Sequence, residues 1–242
     1  MLMALGRQFV QSPLFSKRIA LQVLQGDAFT WHQLLEKTQQ ISTYLQYLGV
    51  KPQNGIALCG KNSLELVLFY LAAIQIGARV LMLNPMFPLE KRIALCQAYN
   101  ADFFFISDHA ECVAESQKCG EIFRCFFTFS DAMKQASKIN AFGDFSVNLT
   151  QPATMTLTSG STGLPKAVVH NIQAHLANAQ GVCDLMQFGA ADSWLLSLPL
   201  YHVSGQGIVW RWLTTGATLV LPGEDFYAAV NQVTHVSLVP TQ

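Results

Sequence analysis

Along the segment FTWHQLLEKTQQISTYLQYLGV, apolar residues return at near-helical spacing, at Leu34, Leu35, Ile41, Leu45 and Leu48. Thr30 stands near its start with Gln33 three residues later, the pattern of a capping box, and Gly49 can close the helix. The period then changes. GIALCG is a short unbroken apolar run that predicts a buried strand, and the apolar stretch from Leu64 to Ile76 predicts a buried helix ending near Gly77. A strand follows from Val80 to Leu83, Pro88 starts a helix through PLEKRIALCQAYN, and ADFFFISD reads as a further strand. Strands alternating with helices predict an α/β fold with a largely parallel sheet.

The pattern weakens from Ala110 to Asn148, where IFRCFFTF predicts a strand and DAMKQASKINAFGDFSVNLTQP a helix running into an irregular connector. A second alternating block starts at Ala153. It predicts a strand, a loop, a KAVVH strand, a helix from Asn171 to about Gln187, a WLLSLPL strand, an SGQGIVWRWLTTG helix, and strands at ATLVL and THVSLVP. This divides the chain into an approximate first α/β subdomain, residues 1–152, and a second, residues 153–242. A strand ending in Pro-Thr suits entry to another helix, so the second subdomain is expected to be incomplete at Gln242.

Composition narrows the partners. The 242 residues are 51% hydrophobic and 12% charged, enough for one large or two small domains with a substantial core. Fifteen basic residues balance fifteen acidic ones without a basic run, which argues against nucleic acid as partner. The run from Leu66 to Ile74 is too short to span a bilayer, and no integral membrane segment is expected. The first residues, MLMALGRQFVQSPLF, lack the basic start and apolar core of a secretory signal. Six cysteines show no CxxC pair and no zinc-type spacing with the histidines. A reduced, cytoplasmic protein without a metal site of its own is the expectation.

The chemistry concentrates in TSGSTGLPK, Thr158 to Lys166, which gathers four hydroxyls, two glycines, a proline and one lysine. After a strand, such a loop can turn backbone N–H groups toward one point and make an anion nest. The hydroxyls add donors, and the lysine adds a mobile point charge suited to a nucleotide's phosphates. This is not the P-loop GxxxxGK[ST], because Pro165 precedes the lysine and Ala167 follows it. Proline fixes its own φ, so the lysine is expected to leave the loop into an extended segment. A flexible turn between strands is the alternative reading.

Further along, LSLPLYHVSGQGIVWRWL places Ser204 and Arg211 two helical turns apart on one face. Arg211 sits between GIVW and WL, where an unpaired guanidinium is costly. Either a substrate carboxylate meets it, or it reaches solvent or an internal acid. Trp210 and Trp212 read as core.

The string LTSGSTGLPKAVVH resembles the phosphate-binding motif of the adenylate-forming superfamily, which includes acyl-CoA synthetases, luciferases and peptide-synthetase adenylation domains. The resemblance implies two packed, mainly parallel sheet subdomains of that superfamily's N-terminal domain, here truncated. It also implies an AMP-forming enzyme that joins a carboxylate to ATP and then to a thiol, with CoA as co-substrate. Thr158, Ser159, Gly160, Ser161, Thr162, Gly163 and Lys166 would hold the β,γ-phosphates, with Lys166 steadying the pyrophosphate leaving group. The segment around His202 resembles the superfamily's next motif, in which that position borders the acyl pocket. His202 would contact the substrate carboxylate or shape the path to the thiol, a structural histidine being the alternative.

Together MTLTSGSTGLPKAVVH, AHLANAQGV, WLLSLPLYHVSGQGIVWRWL and THVSLVPTQ resemble the o-succinylbenzoate–CoA ligases of menaquinone (vitamin K2) biosynthesis, closely from Ala153 onward and more loosely over Ala20–Asn100. This implies a small-molecule dicarboxylate whose succinyl carboxylate is activated while Arg211 and Ser204 recognise the aromatic one. The superfamily's adenine, ribose and Mg2+ motifs and its catalytic C-terminal lysine are expected beyond Gln242. The 242-residue chain alone is therefore expected not to form the thioester. The rivals are a ligase for a monocarboxylate and a noncatalytic, truncated anion-binding module; oligomerisation stays open.

Overall fold

The computed structural model describes residues 13–107, 122–139, 145–158 and 163–240. After a single turn at Pro13–Ser16, the chain forms β1 (Ile19–Val23), β2 (Ala28–Thr30), α1 (Trp31–Tyr47), β3 (Gly55–Cys59), α2 (Leu64–Gln75) and β4 (Arg79–Leu83). It continues through α3 (Leu89–Ala98), β5 (Ala101–Ile106), β6 (Cys125–Thr128), α4 (Phe129–Ala136), β7 (Pro152–Thr158), β8 (Lys166–Asn171) and α5 (Ile172–Met186). Then come β9 (Ser193–Leu195), α6 (Val203–Thr215), β10 (Thr218–Leu221) and α7 (Phe226–Val230).

The periodicity of α1 is matched by its caps. Thr30 N donates to Gln33 Oε1 at 2.9 Å, and Gln33 N donates back to Thr30 Oγ1 at 3.2 Å, a complete capping box. At the other end Val50 N reaches Leu45 O as the chain reverses through Gly49 at φ +88°. Leu34, Ile41 and Leu45 point inward and are fully buried. The apolar α2 is buried from Leu66 through Gln75, and Ser63 caps it by accepting from Leu66 N at 3.2 Å. A helix hydrophobic all round is a core helix. Among the described residues no helix is long and apolar enough to cross a membrane.

Two mainly parallel sheets form among the described residues, one in each of two compact units. The unit of residues 37–172 carries six strands in the order β6-β5-β3-β4-β7-β8. Its pairings are parallel except the last, where β8 folds back antiparallel on β7. Strand β3 is buried at every position, as a strand between two covered faces requires. Phe69 of α2 lies 5.0 Å from Phe105 and 5.1 Å from Phe129, ring centre to ring centre, and this closes one side of the sheet.

The other unit joins residues 1–36 to 173–242 around a four-stranded sheet, order β2-β1-β10-β9. Strand β1 pairs in parallel with β10, Leu21 opposite Leu219, and β10 pairs in parallel with β9. Trp31 stacks on Trp212 at 5.2 Å, and Trp212 Nε1 donates to Ala217 O at 3.1 Å. Trp210 is equally buried, so both tryptophans are core.

Three details differ from the sequence reading. The chain does not divide near residue 152: β7 and β8 belong to the sheet of β3–β6, and β1–β2 join the sheet of β9–β10. The WLLSLPL strand is limited to Ser193–Leu195, since Ser197 N turns back to Leu195 O at 2.8 Å instead of continuing the ladder. THVSLVP forms a single bridge at His235 opposite Trp194, because β9 offers only three residues of edge.

Candidate active site

The hydroxyl-rich loop is the turn of the β7–β8 hairpin. Strand β7 is buried from Ala153 to Thr156 and emerges at Thr158, which pairs with Lys166 across the hairpin. Thr158 Oγ1 donates to Lys166 O at 3.2 Å and clamps the mouth of the loop. Ser159, Gly160, Ser161 and Thr162 lie outside the described residues. Gly163 takes φ +90°, a left-handed conformation that favours glycine. Lys166 is the exposed first residue of β8, so the lysine does enter an extended segment after its proline.

Sequence reasoning passed over a residue that holds this hairpin. Tyr99, at the C-terminus of α3, donates its phenol to Pro165 O at 2.7 Å and accepts from Ala167 N at 3.1 Å. Its ring packs against the core cluster that contains Ala101, Phe104 and Met155. The only sequence signal was an aromatic hydroxyl closing CQAYN.

In the other unit the candidate residues lie along α6. His202 is its exposed N-cap residue and makes no side-chain cap bond; its ring centre is 4.7 Å from that of Tyr201. Ser204 is exposed in the first turn. The loop before the helix is held close by Gly205, where an added Cβ would stand 2.2 Å from Pro199 O. One turn before Arg211, Gly207 leaves room for the guanidinium: a Cβ there would be 3.3 Å from Arg211 Nη2. The arginine thus folds back along the face that it shares with Ser204, as long helical side chains do.

Arg211 Nε is buried without a hydrogen-bond partner, and no carboxylate pairs with the guanidinium among the described residues. Burial lowers its pKa from the ordinary arginine value, while Cys183 nearby acts in the opposite sense. Its nearest compensation is the face of Trp194, 4.9 Å from the guanidinium carbon. Trp194 in turn is braced edge-on by Phe188 at 4.8 Å, and its own Nε1 is buried with no partner among the described residues. Cys183 Sγ lies 3.9 Å from Arg211 O, and burial raises the thiol's pKa, Arg211 partly offsetting the effect and Asp184 adding to it. The sequence reading named Arg211 but not the tryptophan beneath it. Together they make a cation that is half out of water and lacks an acidic partner, which suits an anionic ligand with an aromatic body.

Among the described residues, no group of three or more His, Cys, Asp or Glu side chains could hold a metal ion.

A family model described as AMP-binding enzyme matches residues 10–242. A 2-succinylbenzoate–CoA ligase of Haemophilus influenzae is 50% identical over 236 residues, covering 98% of this chain and 47% of that protein. The 2-succinylbenzoate–CoA ligase of Escherichia coli K12 is 39% identical over 224 residues, covering 90% and 46%. Among solved structures, a variant of E. coli MenE with bound OSB-AMS superposes with a TM-score of 0.80 at 35% identity, over 98% of this chain and 50% of that one. Bacillus subtilis MenE with the acyl-adenylate intermediate OSB-AMP gives 0.85 at 23% identity, over 98% and 61%, and shares the fold. The chain spans about half the length of the curated relatives it matches.

Proposed function

Because the chain belongs to the family of AMP-binding enzymes, we propose that the whole protein is an AMP-forming acid–CoA ligase acting on 2-succinylbenzoate. The observation that carries this reading is Arg211, a half-buried guanidinium with no carboxylate partner among the described residues, on the helical face that also presents Ser204. A monocarboxylate whose one carboxylate is being activated has no second anion for such a group. A dicarboxylate does: one carboxylate reacts while the other, on the aromatic ring, pairs with Arg211 and accepts from Ser204.

The hairpin turn takes the phosphates. Thr158, Ser159, Gly160, Ser161, Thr162 and Gly163 supply donors to the β,γ-phosphates, and Lys166 adds the positive charge. The succinyl carboxylate attacks the α-phosphorus of ATP, the bond to the bridging oxygen breaks, and pyrophosphate leaves with the electron pair. Lys166 lowers that barrier by meeting charge where it develops. The CoA thiol then attacks the acyl carbon, loses its proton and displaces AMP. His202, exposed at the start of α6, contacts the reacting carboxylate or borders the thiol's path. Mg2+ would accompany ATP as the counter-ion of its phosphates, and none of these roles depends on it. Cysteines buried in the core, such as Cys59, Cys96 and Cys183, suit a reducing, cytoplasmic setting.

ATP–pyrophosphate exchange by the whole protein tests the reading. Exchange with 2-succinylbenzoate should exceed that with the analogue lacking the aromatic carboxylate by at least about tenfold in kcat/KM. Equal rates would favour a monocarboxylate ligase. No exchange with any acid would favour a noncatalytic anion-binding module.

A further inference from the structure

We propose that Tyr99 is a positioning residue for adenylation, its phenol setting the point from which the Lys166 side chain departs; this rests on the role of Lys166 proposed above. Strand β8 is the edge strand of its sheet among the described residues, so its outer backbone groups have no neighbouring strand to pair with. Pro165 O and Ala167 N, two residues apart, lie on one side of the chain, as groups of alternate strand residues do. The Tyr99 hydroxyl meets both, donating to the first at 2.7 Å and accepting from the second at 3.1 Å. One hydroxyl thus replaces the pair of ladder bonds that a further strand would make, and Lys166 is the residue enclosed between them.

The inner side is fixed as well. Thr158 pairs with Lys166 across the hairpin, and Thr158 Oγ1 donates to its carbonyl. Pro165 has no N–H of its own, so its carbonyl is the one main-chain hydrogen-bonding group that this residue offers, and the phenol takes it. The phenol is itself rigidly based. Tyr99 N donates to Leu95 O at 3.1 Å, and the ring packs with Ala167 and Leu157 on the buried core cluster. Lysine is a point charge on a flexible stem with much rotamer freedom to lose. Fixing its backbone leaves only the stem to be ordered by the phosphates, and a displacement of about an ångström at a catalytic group can cost as much as a hundredfold in rate.

The experiment is a double-mutant cycle in the whole protein, with Tyr99→Phe, Lys166→Ala and both together, read by ATP–pyrophosphate exchange. Tyr99→Phe keeps the packed ring and removes only the hydroxyl. Its kcat for exchange should fall about tenfold with the KM for the acid unchanged. It should cause no further loss in the Lys166→Ala background, because the residue being positioned is gone. CoA-thioester formation from preformed acyl-adenylate should proceed at the parent rate, which also shows that the variant is folded. The proposal is overturned if Tyr99→Phe exchanges at the parent rate, if it slows Lys166→Ala by the same factor as the parent, or if thioester formation falls in parallel. If Lys166→Ala itself leaves exchange intact, the failure lies in the phosphate-loop reading, and the role of Tyr99 falls with it.

Discussion

The guanidinium carbon of Arg211 lies 4.9 Å from the ring centre of Trp194, although the two residues come from different elements, α6 and β9. The ring supports the cation on one side, yet Nε remains buried without a partner. A cation held this way is costly to the free protein, and an arriving anion would compensate it. Activity and stability are therefore set against each other at this residue.

Replacing Arg211 with Leu should lower kcat/KM for 2-succinylbenzoate by roughly a hundredfold, the scale for removing one partner of a desolvated charge pair. The same variant should unfold at an equal or higher temperature, since a half-buried cation has been exchanged for an apolar side chain. Steady-state kinetics and a thermal melt on one preparation test both. A loss of activity accompanied by an equal loss of stability would contradict this account.

Trp194→Leu and Trp194→Phe separate the ring face from mere packing. Phenylalanine keeps a π surface, whereas leucine removes it. An exposed-to-buried cation–π contact is worth about 0.5–2 kcal/mol, so KM for the dicarboxylate should rise roughly 2- to 30-fold in the leucine variant and less in the phenylalanine variant. Equal KM values in the two would show that Arg211 does not depend on the ring.

The two glycines of α6 should respond differently to alanine. At Gly205 the new Cβ would stand 2.2 Å from Pro199 O and 2.6 Å from Leu198 O, both backbone atoms, so the loop carrying His202 must move. Urea unfolding should show a loss of more than about 1 kcal/mol, the scale of overpacking. At Gly207 the neighbour is the end of a flexible side chain, Arg211 Nη2 at 3.3 Å. That variant should keep its stability and show a raised KM for the dicarboxylate.

Cys183 should leave a signature on the alkaline side. Its folded pKa is raised above the unfolded value by burial, with Arg211 opposing the shift and Asp184 adding to it. The stability it contributes is therefore complete below the unfolded thiol pKa, about 8.5, and is lost as pH rises through the folded value. Denaturant midpoints taken from neutral to alkaline pH should decline less steeply in Cys183→Ala than in the parent. Parallel curves would show that the thiol does not titrate with unfolding.

Much of the local structure was legible. The capping box at Thr30 and Gln33, the all-apolar α2, and the extended exit of Lys166 after Pro165 were readable because each depends on residues adjacent in the chain. Where distant segments meet, the pattern misled. A short apolar run reads as a strand wherever it occurs, yet THVSLVP finds only one bridge because its partner β9 is three residues long. Tyr99 could not be recognised at all, since a tyrosine closing a helix looks like any other until the helix is packed beside Pro165 and Ala167.

The sequence by itself determined the α/β alternation, the main helices, the hydroxyl-rich turn with its single lysine, and a common helical face for Ser204 and Arg211. These follow from periodicity and local hydrogen bonding, which act over a few residues. Tertiary structure alone decided that β1 pairs with β10, Leu21 opposite Leu219, and so joins the two ends of the chain in one sheet. It alone laid Arg211 against Trp194 and set the Tyr99 phenol on either side of Lys166. The reason is physical. Strand pairing, cation–π contact and a hydroxyl's choice of partner depend on distance in space, and any apolar or aromatic residue is chemically able to make them until the fold selects one.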